Sequence, residues 1–322
     1  MSFFRNAIWF MKGLKEYTKS GYASACKAFN AGDMEVDVTG RSFMITGANS
    51  GIGKCAAIAI AKKGGTVHMV CRDSKRGEEA KAEITEVTGN QNVHLHLLDM
   101  SQPREVIKFA SDFEKNTGKL NVLINNAGCM VNTREVSEDG LEKNFATNSL
   151  GTYLLTASLI PLLSQSEDPR VIIVTSGGML VQKLNEKDLQ SEKMSKFDGT
   201  MVYAQNKRQQ VVMTEQFAKS HPHVHFSCMH PGWADTPAVR SAMPDFYNKM
   251  KDRLRTAEEG ADTLIWLALA PAAIKQPSGQ FFQDRVVVSK HLPLAWTKST
   301  SQEEEELMTK LAAFNSQFKS PL

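Results

Sequence analysis

The sequence has few cysteines and no long apolar run. Its five cysteines are widely spaced and form no Cys-x-x-Cys pair, which argues against a disulfide framework and a zinc knuckle and fits a reducing compartment. No apolar stretch approaches the roughly 20 residues that a membrane-spanning helix needs. Arg5 and Asn6 interrupt the apolar N-terminal residues and no small-residue cleavage site follows, so no secretory signal is predicted.

An excess of charge of one sign is also missing. The 322 residues carry 38 Lys and Arg against 35 Asp and Glu, and the resulting net charge of +3 argues against a nucleic-acid partner. The hydrophobic fraction of 42% and the charged fraction of 23% are those of an ordinary globular protein. These features predict an intracellular protein that is cytosolic or peripherally attached to a membrane, and that is not secreted.

From residue 42 onward, short β-branched apolar runs alternate with segments of helical periodicity, the pattern of a parallel sheet covered by helices. The repeat of Val106, Ala110 and Phe113 is one example of that helical spacing. The strand candidates are residues 42–46, 66–71, 93–98, 120–125, 170–176, 224–230 and 279–282. The predicted fold is α/β: a single doubly wound, Rossmann-type parallel seven-stranded sheet with helices on both faces.

No linker or internal repeat divides this region, so the sequence predicts one domain with two extensions. Residues 1–40 form an N-terminal amphipathic extension, residues 41–300 the cofactor-binding domain with its substrate segment, and residues 301–322 a C-terminal helical tail. Ser301 and Glu304 have the spacing of a capping box at the start of that tail.

A glycine-rich segment directly follows the first predicted strand and opens a helix rich in alanine and isoleucine. Glycine lets backbone N–H groups approach a pyrophosphate, and a helix N-terminus adds positive potential. A glycine triplet alone is also compatible with an ordinary tight turn. The cofactor-binding residues predicted in this segment are Gly47, Asn49, Ser50, Gly51, Ile52 and Gly53.

Arg72 follows the second predicted strand, where a dinucleotide-binding unit meets the adenosine ribose. An acidic residue there would bind a bare 2′-hydroxyl, whereas an arginine offers paired N–H donors to a 2′-phosphate. The sequence therefore favours NADP(H) as cofactor. The alternative is a solvated arginine that pairs with the adjacent Asp73.

Tyr203 and Lys207 stand four residues apart in a helix-like run, so the phenol and the ammonium share one helix face. A nearby cation lowers the pKa of a phenol, and such a tyrosine can pass a proton to or from a substrate oxygen. The Tyr-x-x-x-Lys spacing is common on helix surfaces, so it needs support from other motifs.

That support comes from four further motifs, three of which end or follow a predicted strand. They are Asn125-Asn126-Ala127-Gly128, Asn148 in Asn-Ser-Leu-Gly, Thr175-Ser176 and Pro231-Gly232. With the glycine loop and the Tyr203–Lys207 pair, the sequence resembles the short-chain dehydrogenase/reductases from residue 42 to about residue 285. Segments at residues 4–22, 177–182 and 197–200 further resemble one vertebrate branch of that family.

The resemblance implies hydride transfer between NADP(H) and a carbonyl or alcohol, with Tyr203 as the general acid/base. It implies that Lys207 lowers the pKa of Tyr203 and holds the nicotinamide ribose. It further implies that Ser176 hydrogen-bonds the substrate oxygen and that Asn148 fixes the water of a proton relay. The other cofactor contacts that it implies are Asp99, Asn126, Ala127, Gly128, Pro231, Gly232 and Thr236.

The segment after Gly232 is rich in apolar residues, among them Trp233, Met243 and Phe246. In the family that the sequence resembles, this segment covers the substrate, so an apolar carbonyl or alcohol of retinoid, steroid or lipid type is expected. The same residues could instead pack against the core. The alternative function is a catalytically silent NADP(H)-binding sensor or scaffold, which would need none of the four catalytic candidates.

No metal site is predicted. His221, His223 and His225 alternate as they would on one strand face, but Pro222 interrupts them and no carboxylate or cysteine cluster lies nearby. Cys129 adjoins the cofactor wall, and no motif places a histidine to activate it, so it is expected to be a small core residue.

Residues 1–20 carry four cations against one anion, which equals the net charge of the whole chain. On a helical wheel, Phe3, Phe4, Ala7, Ile8, Phe10, Met11, Leu14 and Tyr17 share one half, and Trp9 falls outside it. This pattern suits a helix that lies on an anionic membrane surface. It suits equally a helix that docks on the protein itself or on a partner subunit, so a homodimer is an alternative.

Overall fold

The computed structural model describes residues 2–320, and its central feature is an eight-stranded sheet. The end residues of the predicted extensions, Met1, Pro321 and Leu322, lie outside the described residues. The strands are β1 (Ser42–Thr46), β2 (Thr66–Cys71), β3 (Val93–Leu97), β4 (Val122–Asn125), β5 (Arg170–Val174), β6 (His225–Met229), β7 (Gln280–Gln283) and β8 (Val286–Val287).

Helices connect consecutive strands and form both termini of the described chain. They are α1 (Ser2–Glu16), α2 (Lys19–Ala25), α3 (Gly51–Lys62), α4 (Ser74–Thr88), α5 (Pro103–Thr117), α6 (Thr152–Leu163), α7 (Gly199–Ser220), α8 (Pro237–Ala242), α9 (Pro244–Met250), α10 (Ala257–Leu269) and α11 (Ser301–Lys319). A π-helix, Phe145–Gly151, leads into α6, and a 3₁₀ turn, Gly177–Val181, follows β5.

The strand order β3-β2-β1-β4-β5-β6-β7-β8 makes the sheet doubly wound. Strands β1 to β7 are parallel, and the order reverses between β1 and β4. Side chains alternate across β1, where Phe43 and Ile45 pack under α3, α4 and α10, while Met44 packs on the side of α5, α6 and α7. In such a sheet, ligands bind outside the carboxyl ends of the strands at the reversal.

The predicted parallel sheet with helices on both faces is confirmed, but the predicted count of seven strands is wrong. The eighth strand is a two-residue segment, β8, that pairs antiparallel with β7. Asp284 and Arg285 form the turn between them with φ values of 50° and 61°. Tight hairpin turns of this kind usually carry glycine or asparagine, and neither residue type marks this turn.

The C-terminal helix α11 begins one residue earlier than its predicted capping box. Thr300, not Ser301, is the N-cap, and it exchanges hydrogen bonds with Glu303 rather than Glu304. The apolar face of α11 packs on α5 and α7, with Leu307 and Leu311 fully buried. Lys310 of α11 also donates to the Glu186 carbonyl and so braces the polar segment that precedes α7.

Helix α1 packs on the protein itself through Trp9 and Gly13 together with Leu14 and the adjoining Tyr17 from the apolar half of the wheel. Trp9, which falls outside the apolar half of the wheel, contacts Trp233 edge to face at 5.7 Å between ring centroids. Gly13 fits directly under the same ring, because a Cβ there would lie 2.2 Å from Trp233 Cζ2. Phe3 and Met11, which belong to the apolar half of the wheel, are 86% and 68% exposed.

Candidate active site

The glycine loop lies at the carboxyl end of β1, at the point where the strand order reverses. Gly47 and Gly51 have φ values of 68° and 51°, which favour glycine. A Cβ at Gly53 would lie 2.5 Å from both the Gly47 carbonyl oxygen and Asn126 Nδ2. These three glycines are therefore required by the loop's own geometry. Asn49 and Ile52 are half-buried on the loop.

The N-terminus of α3 points its first N–H groups toward this loop. Its N-cap residue, Ser50, is exposed, and its side chain makes no capping hydrogen bond. The first N–H groups of a helix need an acceptor, and the dipole of a 12-residue helix favours an anion there. The loop thus fits a pyrophosphate group.

The wall next to the loop is held by Thr46 at the end of β1. Its Oγ1 accepts hydrogen bonds from the backbone N–H groups of Asn126 at 3.0 Å and Ala127 at 2.9 Å. Asn126 Nδ2 donates in return to the Thr46 carbonyl at 2.9 Å. The predicted cofactor residues of β1 and of the segment after β4 are therefore joined directly. Gly128 follows them and is exposed.

Arg72 is exposed just after β2, with its guanidinium 3.9 Å from a carboxylate oxygen of Asp99. The alternative pairing with Asp73 is not observed, because Asp73 caps α4 and lies 3.3 Å from Arg76. Asp99 also accepts hydrogen bonds from the N–H and the hydroxyl of Ser101. Arg72 and Asp99 thus stand together, with the Arg72 fork accessible to a ligand.

Tyr203 and Ser176 face each other across the site. Tyr203 lies in the second turn of α7, and Ser176 lies two residues beyond the end of β5. Burial raises the pKa of Tyr203 above its ordinary value, and the nearby Cys129 adds to the rise, while a hydrogen bond with Ser176 opposes it. The phenol is therefore protonated at neutral pH and is placed to donate a proton.

Lys207 is buried one turn after Tyr203, with Nζ 5.3 Å from the centroid of the phenol ring. Its ammonium donates to the Val174 carbonyl at 2.9 Å and to Gln210 Oε1 at 3.0 Å. Burial lowers the pKa of Lys207 to about 7. Both charge states of this lysine are therefore populated near neutral pH.

Asn148 lies in the π-helix and is fully buried. Its side chain is used for structure: Oδ1 accepts from the Cys129 N–H at 2.8 Å, and Nδ2 donates to the Cys129 carbonyl at 2.8 Å and to Asn206 Oδ1 at 3.2 Å. Its backbone carbonyl accepts from Gln210 Nε2 at 2.7 Å. Cys129 itself has a raised pKa owing to burial, which makes it a poor nucleophile.

The segment after β6 closes the other side of the site. Pro231 is half-buried and Gly232 has a φ of 77°. Thr236 caps α8 through its hydroxyl, and its methyl carbon lies 3.3 Å from the position a Cβ would take on Gly51. The glycine loop and this segment therefore meet. Trp233, predicted to cover the substrate, is only 7% exposed because α1 packs on it.

Residues of the N-terminal extension support this site from behind. The ring of Tyr17 stands edge-on to His230 at 4.3 Å, and both side chains are buried. His230 Nδ1 accepts from the Gly177 N–H at 2.9 Å and so fixes the residue after Ser176. The Trp233 N–H donates to the Tyr17 carbonyl at 2.8 Å.

The structure thus brings the four catalytic candidates into one cluster and places the cofactor candidates around it. Sequence reasoning missed Tyr17 and Gln210 as neighbours of the site. The i, i+3 spacing from Lys207 was an available signal for Gln210. No sequence signal connected Tyr17 with His230, because their contact spans more than 200 residues of chain.

Comparisons with known proteins agree with this architecture. A family model described as short chain dehydrogenase matches residues 41–187. The Dehydrogenase/reductase SDR family member 12 of Homo sapiens is 61% identical over 319 residues, which cover 99% of this chain and all of that protein. Retinol dehydrogenase 12 of Homo sapiens is 35% identical over 269 residues, covering 81% of this chain and 84% of the relative. The chain belongs to the short-chain dehydrogenase/reductase family of oxidoreductases, and the narrower resemblance is confirmed.

Solved structures share the fold at lower identity. Salutaridine reductase from Papaver somniferum aligns with a TM-score of 0.60 at 24% identity, covering 76% of this chain and 99% of that one. A short chain dehydrogenase from Escherichia coli, complexed with NADPH, aligns with a TM-score of 0.62 at 21% identity, covering 79% and 99%. These likenesses show the fold.

Proposed function

We propose that the protein is an NADP(H)-dependent oxidoreductase that interconverts an apolar carbonyl compound and the corresponding alcohol. The observation that carries the proposal is the convergence of Tyr203, Ser176 and Lys207 beside the glycine loop. When bound, NADP(H) supplies or accepts the hydride, so the protein itself must manage the proton and orient the reacting groups.

The cofactor would be held by groups that the fold leaves available. The uncapped N–H groups at the start of α3 suit the pyrophosphate, and Arg72 suits a 2′-phosphate. The wall of Asn126 to Gly128 would flank the adenine ribose. Lys207 has three N–H donors and uses two of them in the protein, so one is left for the nicotinamide ribose.

Tyr203 would transfer the proton. A half-buried, protonated phenol can donate to the carbonyl oxygen as the carbonyl carbon gains its hydride. Ser176 lies on the same side and would hydrogen-bond the same oxygen, which orients it toward the phenol. Because burial raises the pKa of Tyr203, the phenol holds the proton that carbonyl reduction consumes.

Two observations support an apolar substrate: the residues of the segment after Gly232 and the similarity to a retinol dehydrogenase. Met243 and Phe246 are half-buried there, whereas Trp233 is covered by α1. A relative at 35% identity is named a retinol dehydrogenase, and its named substrate is an apolar alcohol. A panel of retinoid, steroid and fatty aldehydes and ketones, with NADPH consumption as the readout, tests the proposal. Higher kcat/KM for polar hydroxy acids or sugars would contradict the substrate class.

Arg72→Asp is expected to weaken NADPH binding about 10- to 100-fold and to favour NADH, because a carboxylate repels the 2′-phosphate and accepts from a 2′-hydroxyl. Calorimetric titration of both cofactors measures this without turnover. Arg76→Asp is the matched control, because the substitution makes the same change of charge four residues away. Arg76 lies against Asp73. Equal affinity of the unmodified protein for NADH and NADPH would reject Arg72 as a 2′-phosphate ligand.

We further propose that the exposed face of α1 contacts an anionic membrane surface. Phe3, Phe4, Phe10 and Met11 are exposed on this face. Lys15 is exposed in the last turn of α1 and Lys19 at the start of α2, where they would meet lipid headgroups. Among residues 2–320 no helix is both long and apolar enough to cross a membrane, so the contact would be interfacial.

Sedimentation with vesicles that contain phosphatidylserine tests this membrane contact. We expect the protein to pellet with the vesicles at low salt and the double variant Phe3→Ser/Met11→Ser to remain in the supernatant. Val87→Ser/Leu97→Ser is the control, because it removes two apolar side chains elsewhere that are also more than half exposed. A protein that stays in solution and elutes as a dimer, with the dimer lost in the α1 variant, would assign the face to a second subunit instead.

A further inference from the structure

Gln210 connects two of the catalytic candidates through a side chain that is itself fully buried. Its Oε1 accepts from Lys207 Nζ at 3.0 Å, and its Nε2 donates to the Asn148 backbone carbonyl at 2.7 Å. The two bonds join α7 to the π-helix across the interior of the site. The amide therefore occupies a direct path between Lys207 and Asn148.

The partners fix which way this amide points. The Asn148 backbone carbonyl can only accept in either charge state of Lys207, so Nε2 must face Asn148 and Oε1 then faces Lys207. With the amide reversed, Oε1 would face the Asn148 carbonyl oxygen inside a buried site and that carbonyl would lose its Gln210 donor, at a substantial cost in free energy. Gln210 is thus held in a single orientation with both ends of its amide in use.

We propose that Gln210 is a positioning residue that holds the Lys207 ammonium at the site and ties it to the Asn148 backbone. The proposal rests on the proposed function for its catalytic meaning, because Lys207 matters there as the partner of Tyr203 and of the nicotinamide ribose.

The geometry predicts that the pKa of Lys207 depends on its hydrogen bond with Gln210. The titratable groups that face it are Tyr203, on its own helix, and Cys129, after β4. Val174 and Gln210 are the acceptors of its ammonium protons in the described structure. Loss of the Gln210 acceptor removes a hydrogen bond to a charged group, which destabilises the ammonium relative to the neutral amine.

The test is a titration of the lysine side chains by NMR in full-length protein labelled with ¹³C at lysine Cε. The Lys207 resonance is identified by its absence in Lys207→Arg. In Gln210→Leu we expect its midpoint to fall by about one to two pH units, the shift that corresponds to a lost hydrogen bond to a charged group. Gln209→Leu is the matched control, because it removes a buried amide on the same helix that accepts from Ser149 and leaves Lys207 alone.

A second variant keeps the test decisive if Gln210→Leu does not fold. Gln210→Glu presents a carboxylate to Lys207, so the Lys207 midpoint should rise, in the opposite direction to the leucine variant. An unchanged midpoint in whichever of these variants folds would overturn the proposal, because a purely structural amide has no reason to shift Lys207. The titration needs neither cofactor nor substrate. A wild-type protein without activity would therefore contradict the proposed function, while the Lys207 titration would still test the role of Gln210.

Discussion

Tyr203→Phe is expected to lower turnover about 100- to 10,000-fold while NADPH binding stays nearly unchanged. The range is the usual contribution of general acid/base catalysis, and the substitution removes only the phenol oxygen. The ring remains in place beside Lys207, so the surroundings of the cofactor change little. Steady-state kinetics with a substrate found in the panel, together with calorimetric NADPH titration, separate the two effects.

Tyr153→Phe is the matched control for this experiment. Tyr153 is also buried, lies on α6, and stacks on Phe217 at 5.5 Å rather than facing Ser176. It should keep the wild-type rate. A Tyr203→Phe enzyme that retains activity within about tenfold of wild type would exclude Tyr203 as the acid/base, because that is less than the usual contribution of such a group.

The parts of the fold that could be predicted from the sequence are those whose signal is local. Strands β1 and β2 match their predicted bounds because their apolar, β-branched runs are each followed by turn residues. Strand β8 was missed because Asp284 and Arg285 adopt left-handed backbone conformations, and no glycine in the turn indicates this in the sequence. Local composition does not encode a strand of two residues.

The arrangement around the site depends on contacts between distant parts of the chain. Helical periodicity correctly placed Tyr203 and Lys207 on one helix face, since residues four apart are neighbours there. It could not show that Trp9 and Gly13 are the contact face of α1, because a wheel ranks residues by polarity and contains no partner surface. The aromatic ring of Trp233 supplies that surface from more than 200 residues away.

Arg255→Leu is expected to destabilise the protein by about 3–5 kcal/mol, because it leaves the buried Asp284 carboxylate without its cation. The pair is bidentate, with N–O distances of 2.6 and 2.9 Å, and the two side chains are 1% and 7% exposed. The same guanidinium donates to the Glu16 carbonyl at 2.6 Å. Its loss therefore also releases the N-terminal extension from the Pro231–Gly232 turn, against which Arg255 packs.

Arg240→Leu isolates the effect of burial. Arg240 and Asp235 are also bidentate, at 2.6 and 2.8 Å, but the arginine is 57% exposed, so its loss should cost no more than about 1 kcal/mol. Arg255→Leu/Asp284→Leu should recover much of the lost stability, because no buried charge is then left unpaired. Urea unfolding of the three variants measures these differences. If Arg255→Leu costs no more than Arg240→Leu, the buried pair does not fasten the N-terminal extension to the site.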